Sequence, residues 1–592
     1  MKRILLFFSL IFIFQLEVQA QQKESAGPVF VDSAQAVSSV ALSRKTLIPA
    51  RDEFKLFNPK NVGVNRIIPG KGFPKTKYKD VQKKMGKIPS KKPIFTFDAA
   101  NGVATPMDPT GVAGPNHYVN AWNRSFSIFD KQGNQLVPPS ELKSIGGEFE
   151  NEDDGDPIVL YDSFADRYLI MQFSDEPGVE SESPAGLLIA VSQGSDPVNN
   201  GWYTYRFNTG SLPDYPKISL WSDGYYITTN KDALSPQGKE IVFVLEREKM
   251  LQGETAKIMG FPLPGIRNNG FYSPAGFNAV GKTPPPKGNA PIVYLQDDAW
   301  EGVNEDHLKL WLINIDWNAV DNSRIAESQE LGAADGVTPF ISTFDGGGTR
   351  NIPQPNDGSS IDALQASMMY MTPYRRFSDH NSAVMNFVVD VDPSAAKHAG
   401  IRWYELRQNS DGSPWKVFQE GTYAPDESDR FCGSIGIDAK GNIGLGFTVV
   451  NDSPLNPVYP SIRYTGRYEK DELGQMSIEE QSIVEGQSPD PDKEYGRYGD
   501  YAHLTVDAAD QLTFWHNAEY FQGARRYNKV GVFKIAPDFA NDLGVTALVA
   551  PKNATLGTAE QITITVRNFG SNAQSNFPVS YTINGETVTE TF

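Results

Sequence analysis

DYAHLTVDAADQLTFWH, residues 500–516, reads as two strands folded on each other. Asp500 to Asp507 reads as a strand, Ala508 to Gln511 as the turn, and Leu512 to His516 resumes the strand pattern. The same unit recurs as DPIVLYDSFADRYLIMQF (156–173), YPKISLWSDGYYITT (215–229) and CGSIGIDAKGNIGLGF (432–447). Looser copies begin at Asp108-Pro-Thr-Gly-Val and Asp362-Ala-Leu-Gln-Ala, and another lies around APIVYLQ (290–296) and HLKLWLINID (307–316). A more variable third strand follows each.

An antiparallel unit of this kind cannot bury both faces alone, so the copies must stack on one another. Four-stranded blades around an axis satisfy that need and hide strand edges. The copies stand roughly 40 to 75 residues apart, which leaves room for long inserted loops. The reading is all-β, a β-propeller of about seven blades over residues 96–537, with six and eight as alternatives. A stacked sandwich or jelly roll is the competing architecture. Helix candidates are short: EREKMLQG (246–253) and IDALQASM (361–368).

The flanks differ in texture. Residues 1–20 combine Lys2 and Arg3, an apolar run from Ile4 to Phe14, and Val18-Gln19-Ala20, the layout of a cleaved signal peptide. The run is too short for a permanent span, and no other stretch approaches one, so a secreted or cell-surface chain without a transmembrane segment is expected. Residues 21–95 show little periodicity and read as a basic, mostly irregular leader. Between Arg44 and Lys92 about fifteen basic residues face about three acidic ones, although the whole chain has a formal charge of −18. A linker, a pro-segment, a surface tether or a strap on the acidic body would each fit. The acidic balance argues against nucleic acid as a partner. Cys432 is the only cysteine, which excludes an intrachain disulfide and suggests a buried thiol in a strand.

Residues 542–592 open with Asp542-Leu-Gly-Val and contain Val566-Arg-Asn-Phe-Gly, alternating ITITV and VSYTI, and the turn pair Asn584-Gly585. This segment resembles the start of a bacterial immunoglobulin-like module of the cell-adhesion-related type. Such a sandwich takes about 100 residues, so a module cut short is expected. The central region has its own resemblance, carried by Gly155-Asp156-Pro, Leu160-Tyr-Asp, Ala165-Asp-Arg, Arg402-Trp-Tyr-Glu-Leu-Arg, Tyr459-Pro-Ser-Ile-Arg-Tyr-Thr-Gly-Arg and Arg497-Tyr-Gly-Asp-Tyr with Phe514-Trp. It is similar to a group of large secreted proteins found especially in gliding and gut-type Bacteroidetes. That resemblance implies fold and location and supplies no chemistry.

In a propeller, loops of several blades converge at the mouth of the axis, and residues at the starts of inner strands line it. The candidate ligand-binding set from different copies is therefore Asp156, Arg375, Arg463, Arg497, Asp500, Tyr501 and Glu519. Arginines can grip a substrate carboxylate or phosphate bidentately, and two carboxylates about 5–9 Å apart can hydrolyse a glycoside. Ion pairs between blades account for the same residues without any ligand. Asp153, Asp154 and Asp156, on an acidic Gly-bearing turn, are the candidate calcium ligands, against a plain solvated turn. The sialidase box is echoed only by Asp411-Gly-Ser-Pro-Trp415. His503 and His516 fall on two arms of one hairpin, without a zinc spacing. Trp122, Trp202, Trp300 and Tyr374 are the aromatics offered for sugar stacking. Gly346-Gly-Gly348 reads as a loop, and no nucleophile elbow or phosphate loop is present. The expectation is a binding or adhesion protein that presents propeller loops to a glycan or an extracellular protein. A secreted, sialidase-like glycoside hydrolase and a structural part of a surface assembly are the alternatives.

Overall fold

The computed structural model describes residues 24–51, 81–102, 106–147, 155–174, 185–230, 242–268, 272–344, 350–356, 358–392, 397–490, 496–535, 540–551, 557–568, 570 and 572–592. The repeated hairpin forms the first half of a four-strand antiparallel meander. Ile158–Asp162 pairs with Arg167–Ser174 across the turn at Asp162↔Arg167, and His503–Val506 pairs with Thr513–Gln522. Six such meanders follow in chain order over 110–141, 158–208, 217–261, 275–331, 372–423 and 429–484. A seventh has three strands within 503–534 and takes its fourth from Phe95–Gly102, antiparallel to Arg525–Lys534. The chain thus closes on itself by pairing its early strand with its last ones. Each meander's first strand touches the first strand of the next, and His503–Val506 touches Thr110–Ala113. That closed ring of strands is a β-propeller. Between the fourth and fifth meanders the contact becomes a parallel ladder, Phe277↔Thr372 to Val280↔Arg375.

The alternating small and large residues of GNIGLGF have a packing reason. A Cβ on Gly444 would lie 3.0 Å from the Phe514 ring, and one on Gly446 would lie 2.6 Å from the His516 ring. These glycines let the seventh meander's aromatic strand press against the sixth. On the seventh meander's other face, Tyr118 stacks on Trp515 with centroids 5.0 Å apart. Large aromatics fill such wedges throughout, and Trp202, Trp300, Trp311, Trp403 and Trp515 are all buried.

The helix expected at EREKMLQG is present as Arg247–Gln252, closed by Gly253 in the left-handed region. IDALQASM is not helical and does not start a meander. It belongs to the long connection between the fourth and fifth meanders, whose first strand begins at Thr372. Likewise APIVYLQ and HLKLWLINID are second and third strands, the first being Ala275–Val280.

The leader is a strap, and its described parts are not irregular. Ser25–Ala26 pairs with the outer strand of the fourth meander, Phe30–Ala34 with that of the third, and Val37–Ser39 with that of the second. Pro49 bridges Ser140 at the edge of the first. After residues 52–80, Val81–Gln82 pairs with the outer strand of the fifth, Ile88 bridges Ile478 of the sixth, and Phe95–Gly102 completes the seventh. Segments of two to five residues carry no readable side-chain period, because what places them is backbone bonding to exposed edges. Arg51 also meets Glu141 at 2.6 Å and Lys91 meets Asp542 at 3.0 Å, so basic strap residues lie on acidic neighbours. Deleting residues 24–51 uncovers four outer edges. The expected outcome is a thermal midpoint lowered by several degrees and new self-association, read by calorimetry and light scattering. An unchanged midpoint in a monodisperse sample would show that the strap adds nothing to the ring.

Asp429, at the start of the sixth meander, accepts the Ala399 N–H at 2.7 Å and is buried. Burial, with Asp452 and Asp390 adding to it, pushes its carboxyl up to about 7, against the pull of the Ala399 N–H and Arg430. The folded chain therefore keeps a proton that the unfolded chain releases near pH 4. Stability from this group is full below that pH and is lost as pH rises towards 7. Asp429→Asn keeps the acceptor and removes the titration. Its thermal midpoint is expected to exceed that of the parent at pH 8 and to match it at pH 4, measured in parallel melts.

Beyond the ring, Leu543–Ala550 pairs with Thr563–Asn568, and Pro578–Ile583 pairs with Glu586–Thr591 across Asn584-Gly585. Both turn residues have positive φ, as a tight two-residue hairpin requires. No helix among the described residues is long and apolar enough to cross a membrane.

Candidate functional site

A backbone feature repeats at the starts of the first strands. Asp108, Asp156, Tyr215 and Cys432 all have φ between 47° and 50°, a region non-glycine residues seldom occupy. The first three precede a proline, which restricts them further. Strain of this kind persists only where the surroundings enforce it, and it recurs at sites of function. The kinked residues gather at one end of the axis with the segment 497–501.

Across that end, Tyr215 of the third meander donates to the Asp500 carbonyl at 2.9 Å, and Tyr501 of the seventh donates to the Pro216 carbonyl at 3.0 Å. Their rings lie 5.1 Å apart. Behind them Tyr370 donates to the Ile218 carbonyl at 2.9 Å, and its ring is 4.7 Å from that of His503. These tyrosines join opposite sides of the ring and so fill the axis, giving the end a floor.

Acids stand at that floor. Asp108 accepts the Asp500 N–H at 2.6 Å and the Asn123 side-chain N–H at 2.8 Å. Asp500 receives the Arg497 guanidinium at 2.8 Å. The backbone N–H of Asp156 is fixed by Asn123 at 2.7 Å, while its carboxyl accepts no hydrogen bond among the described residues. Burial, then Asp108, Asp214 and Asp500, raise the Asp156 carboxyl well above the usual range, with Arg497 opposing. Burial and Asp500 do the same to Asp108. Burial works against the Arg497 charge, but Asp500, Asp108, Asp362 and Asp156 together hold its guanidinium protonated above its ordinary value. Asp156 and Arg497 each retain 9% exposure, against 0–3% for Asp108, Asp362, Asp500 and Tyr501, and Asp214 is half-buried beside them.

Of the seven residues expected to act together, Asp156, Arg497, Asp500 and Tyr501 meet here. Glu519 is adjacent, but its carboxylate is already engaged by the Gly499 N–H at 2.8 Å, the Met107 N–H at 3.2 Å and Arg526 at 2.7 Å. Arg375 lies at the opposite end of the axis, donating to the Ile437 carbonyl at 3.1 Å and to Gln511 at 2.9 Å. Burial lowers it to about 10, Asp438 opposing. Arg463 is on a third strand, held by Glu480 at 2.9 Å and Glu485 at 2.8 Å. The three arginines therefore cannot grip one anion. The two ends of a first strand, and the third strand of its meander, are different places in the fold, and residue type alone does not separate them.

Several other expectations are corrected. Trp122, Trp202 and Trp300 are buried and offer no face to a sugar, while Tyr374, also largely buried, lines a cleft with Trp221 and Trp415. Asp411-Gly-Ser-Pro-Trp415 is a hairpin turn: Asp411 binds Arg376 at 2.5 Å and Asn381 at 2.9 Å, and Trp415 packs edge-on to Phe277 at 5.1 Å. His503 is opposite Asn517, one step out of register with His516. Burial lowers both imidazoles to about 3, so they are neutral packing groups. Cys432 is buried, as expected, and its thiol meets the Gly499 carbonyl at 3.5 Å.

Of the candidate calcium ligands, Asp153 and Asp154 lie outside the described residues, as do Gly346 to Gly348. Among the described residues, three carboxylates come within 4.8 Å of one another only at Asp297, Asp298 and Asp306. Asp297 there accepts from the Ala299 and Ser342 N–H groups at 2.8 Å, and Asp306 from those of Asp298 and Phe340 at 2.7 Å. Those bonds fasten one loop to the connection at 340–342.

The CARDB family model matches residues 540–592, in agreement with the immunoglobulin-like segment read from Asp542 onwards. No curated protein matches the chain. Among solved structures, an alpha-L-arabinanase of Penicillium chrysogenum complexed with arabinobiose is 9% identical with a TM-score of 0.31, over 75% of this chain and 98% of that one. A protein of unknown function from Dyadobacter fermentans is 9% identical with a TM-score of 0.32, over 74% and 99%. The sialidase of Trypanosoma rangeli is 10% identical with a TM-score of 0.26, over 64% and 54%. Likeness at these TM-scores carries no argument about activity.

Proposed function

We propose that this chain is an exported glycan-active protein, a glycoside hydrolase working at the starts of the first strands, and that each of the seven meanders is one propeller blade. Residues 1–20 are then the export signal, 21–95 the strap, 96–537 the catalytic body, and 542–592 an immunoglobulin-like module that spaces it from a surface. The observation that carries this reading is Asp156. It is a buried carboxyl with a raised pKa and no hydrogen bond among the described residues, near Asp500, whose carboxylate meets the Arg497 guanidinium at 2.8 Å. An acid held protonated near a carboxylate paired to an arginine is the kind of arrangement that acid–base chemistry on a glycoside uses.

In the step proposed, the glycosidic C–O bond breaks as its oxygen takes the Asp156 proton. A water oxygen bonds to the anomeric carbon, and the proton it releases passes to Asp500. Arg497 holds Asp500 and gives no proton.

Binding without turnover at the same place is the second reading. It is favoured by the bonds that already engage Arg497, Asp500 and Glu519. Release of reducing ends from a glycan panel by the full chain separates the two: turnover supports the hydrolase, and saturable binding with no product supports the second reading.

A further inference from the structure

The end of the axis opposite the acids is formed by the turns that follow the first strands, and all seven of those turns are among the described residues. A cavity of about 40 Å³ lies there, and Arg375, His503 and Thr505 are among the residues that line it. Arg375 enters from the fifth meander and is 5% exposed. Its Nε–H goes to the Ile437 carbonyl at 3.1 Å and one Nη–H to Gln511 at 2.9 Å, while the other Nη nitrogen is buried without a hydrogen-bond partner. No described carboxylate bonds to it. Asp438 acts on it only through space, because its oxygens already accept the Lys440 N–H at 2.7 Å and the Asn442 side-chain N–H at 2.8 Å. Of the acids on neighbouring turns, Asp162 is paired with Arg247 and Asp507 with Lys131, each at 2.6 Å.

The other unpartnered groups at the cavity also donate. His503 Nδ1 accepts the Gly111 N–H at 3.2 Å, so the proton of this neutral imidazole sits on Nε2, which has no partner. The Thr505 hydroxyl, two residues on along the same strand, is buried without one as well. Acceptors around the cavity are in use. The Gly281 carbonyl takes the Ser163 hydroxyl at 3.0 Å, the Ala508 carbonyl takes the Gln511 amide at 2.8 Å, and Asn278 Oδ1 takes the Leu220 N–H at 2.9 Å. A water in this place must find acceptors for its own two protons. An anion only accepts, and it also supplies the counter-charge that a buried guanidinium otherwise lacks.

We infer that this cavity binds a small monovalent anion of chloride size, held by Arg375 with His503 and Thr505. The volume equals a few water-sized spheres at about 10–15 Å³ each, room for a halide and too little for a sugar acid. The site is independent of the glycan reading and lies at the other end of the axis from it.

The test uses the full chain. Thermal midpoints are measured in rising sodium chloride or bromide, with sodium gluconate holding the ionic strength constant, and crystals soaked in bromide are examined by anomalous scattering. The expected result is a midpoint that climbs with halide concentration and a bromide peak within hydrogen-bond reach of the free Arg375 Nη. Thr505→Val keeps the shape and removes one donor, so its midpoint curve should move to about tenfold higher halide. Arg375→Met should lose the response, and if that variant does not fold, Thr505→Val and the bromide peak still decide. A midpoint blind to the choice of halide or gluconate overturns the inference, and so does the absence of bromide at Arg375. Bromide found there only at molar concentration, with no response of the midpoint, is an adventitious ion only and overturns it too.

Discussion

Asp156→Asn is expected to cut glycan turnover by about 10²–10⁴-fold, the usual contribution of a positioned proton donor, with little change in thermal stability. The substitution is nearly isosteric with the protonated acid, and the bond that fixes the residue runs through its backbone N–H to Asn123 at 2.7 Å. No described hydrogen bond to its carboxyl is lost. A raised carboxyl can also give a proton at pH values where an ordinary one has none. Parent activity should therefore persist above the usual carboxylate range and fall as pH rises through the raised pKa. That alkaline limb is the readout a packing role would not move. Asp156→Asn should lose both the rate and the limb, while substrate binding measured at equilibrium changes little. A variant that melts like the parent and turns over at the parent rate would remove Asp156 from the chemistry.

How far the site could be read in advance depended on one structural fact, the position of a residue within its repeat. Asp156 and Asp500 both stand at the beginning of a recurring hairpin, and they meet. Asp108 and Tyr215 occupy the same place in their own copies, each just before a proline, and both belong to the site. Taking that position from every copy, whatever residue type stood there, would have found them. Arg375 and Arg463 share only their chemistry with that position, and they lie at the far end of the axis and on a third strand. The hairpins themselves were legible because two faces packed on neighbours leave dense β-branched and aromatic runs. A strap is one of the readings the basic leader allows, but its strands are not legible, because two-residue strands are chosen by the edges they cover. The copy read at Asp362 starts eight residues early, Tyr370 standing two residues before its strand as Asp156 does in its own copy, since the connection before Thr372 is itself buried and apolar and imitates a strand.

Arg526→Met is expected to be the most destabilising single change near the site, by about 3–5 kcal/mol, the range for breaking a buried pair from one side. The side chains of Arg526, Glu519 and Asp490 have 1%, 1% and 0% exposure, so neither carboxylate can turn to water. Methionine fills much of the volume and restores none of the charge. Arg526 also donates to the Arg497 carbonyl at 2.8 Å, while Glu519 anchors the N–H groups of Gly499 and Met107. The two backbone segments that carry Asp108 and Asp500 thus hang from one ion cluster. Loss of Arg526 should loosen both, so that binding weakens at temperatures well below the melt. Adding Glu519→Gln to Arg526→Met removes one stranded charge and should recover part of the stability, measured by denaturant titration. If the double variant were less stable than Arg526→Met alone, the cost would lie in lost packing against Phe521, whose ring is 4.9 Å from the guanidinium, rather than in the unpaired acids.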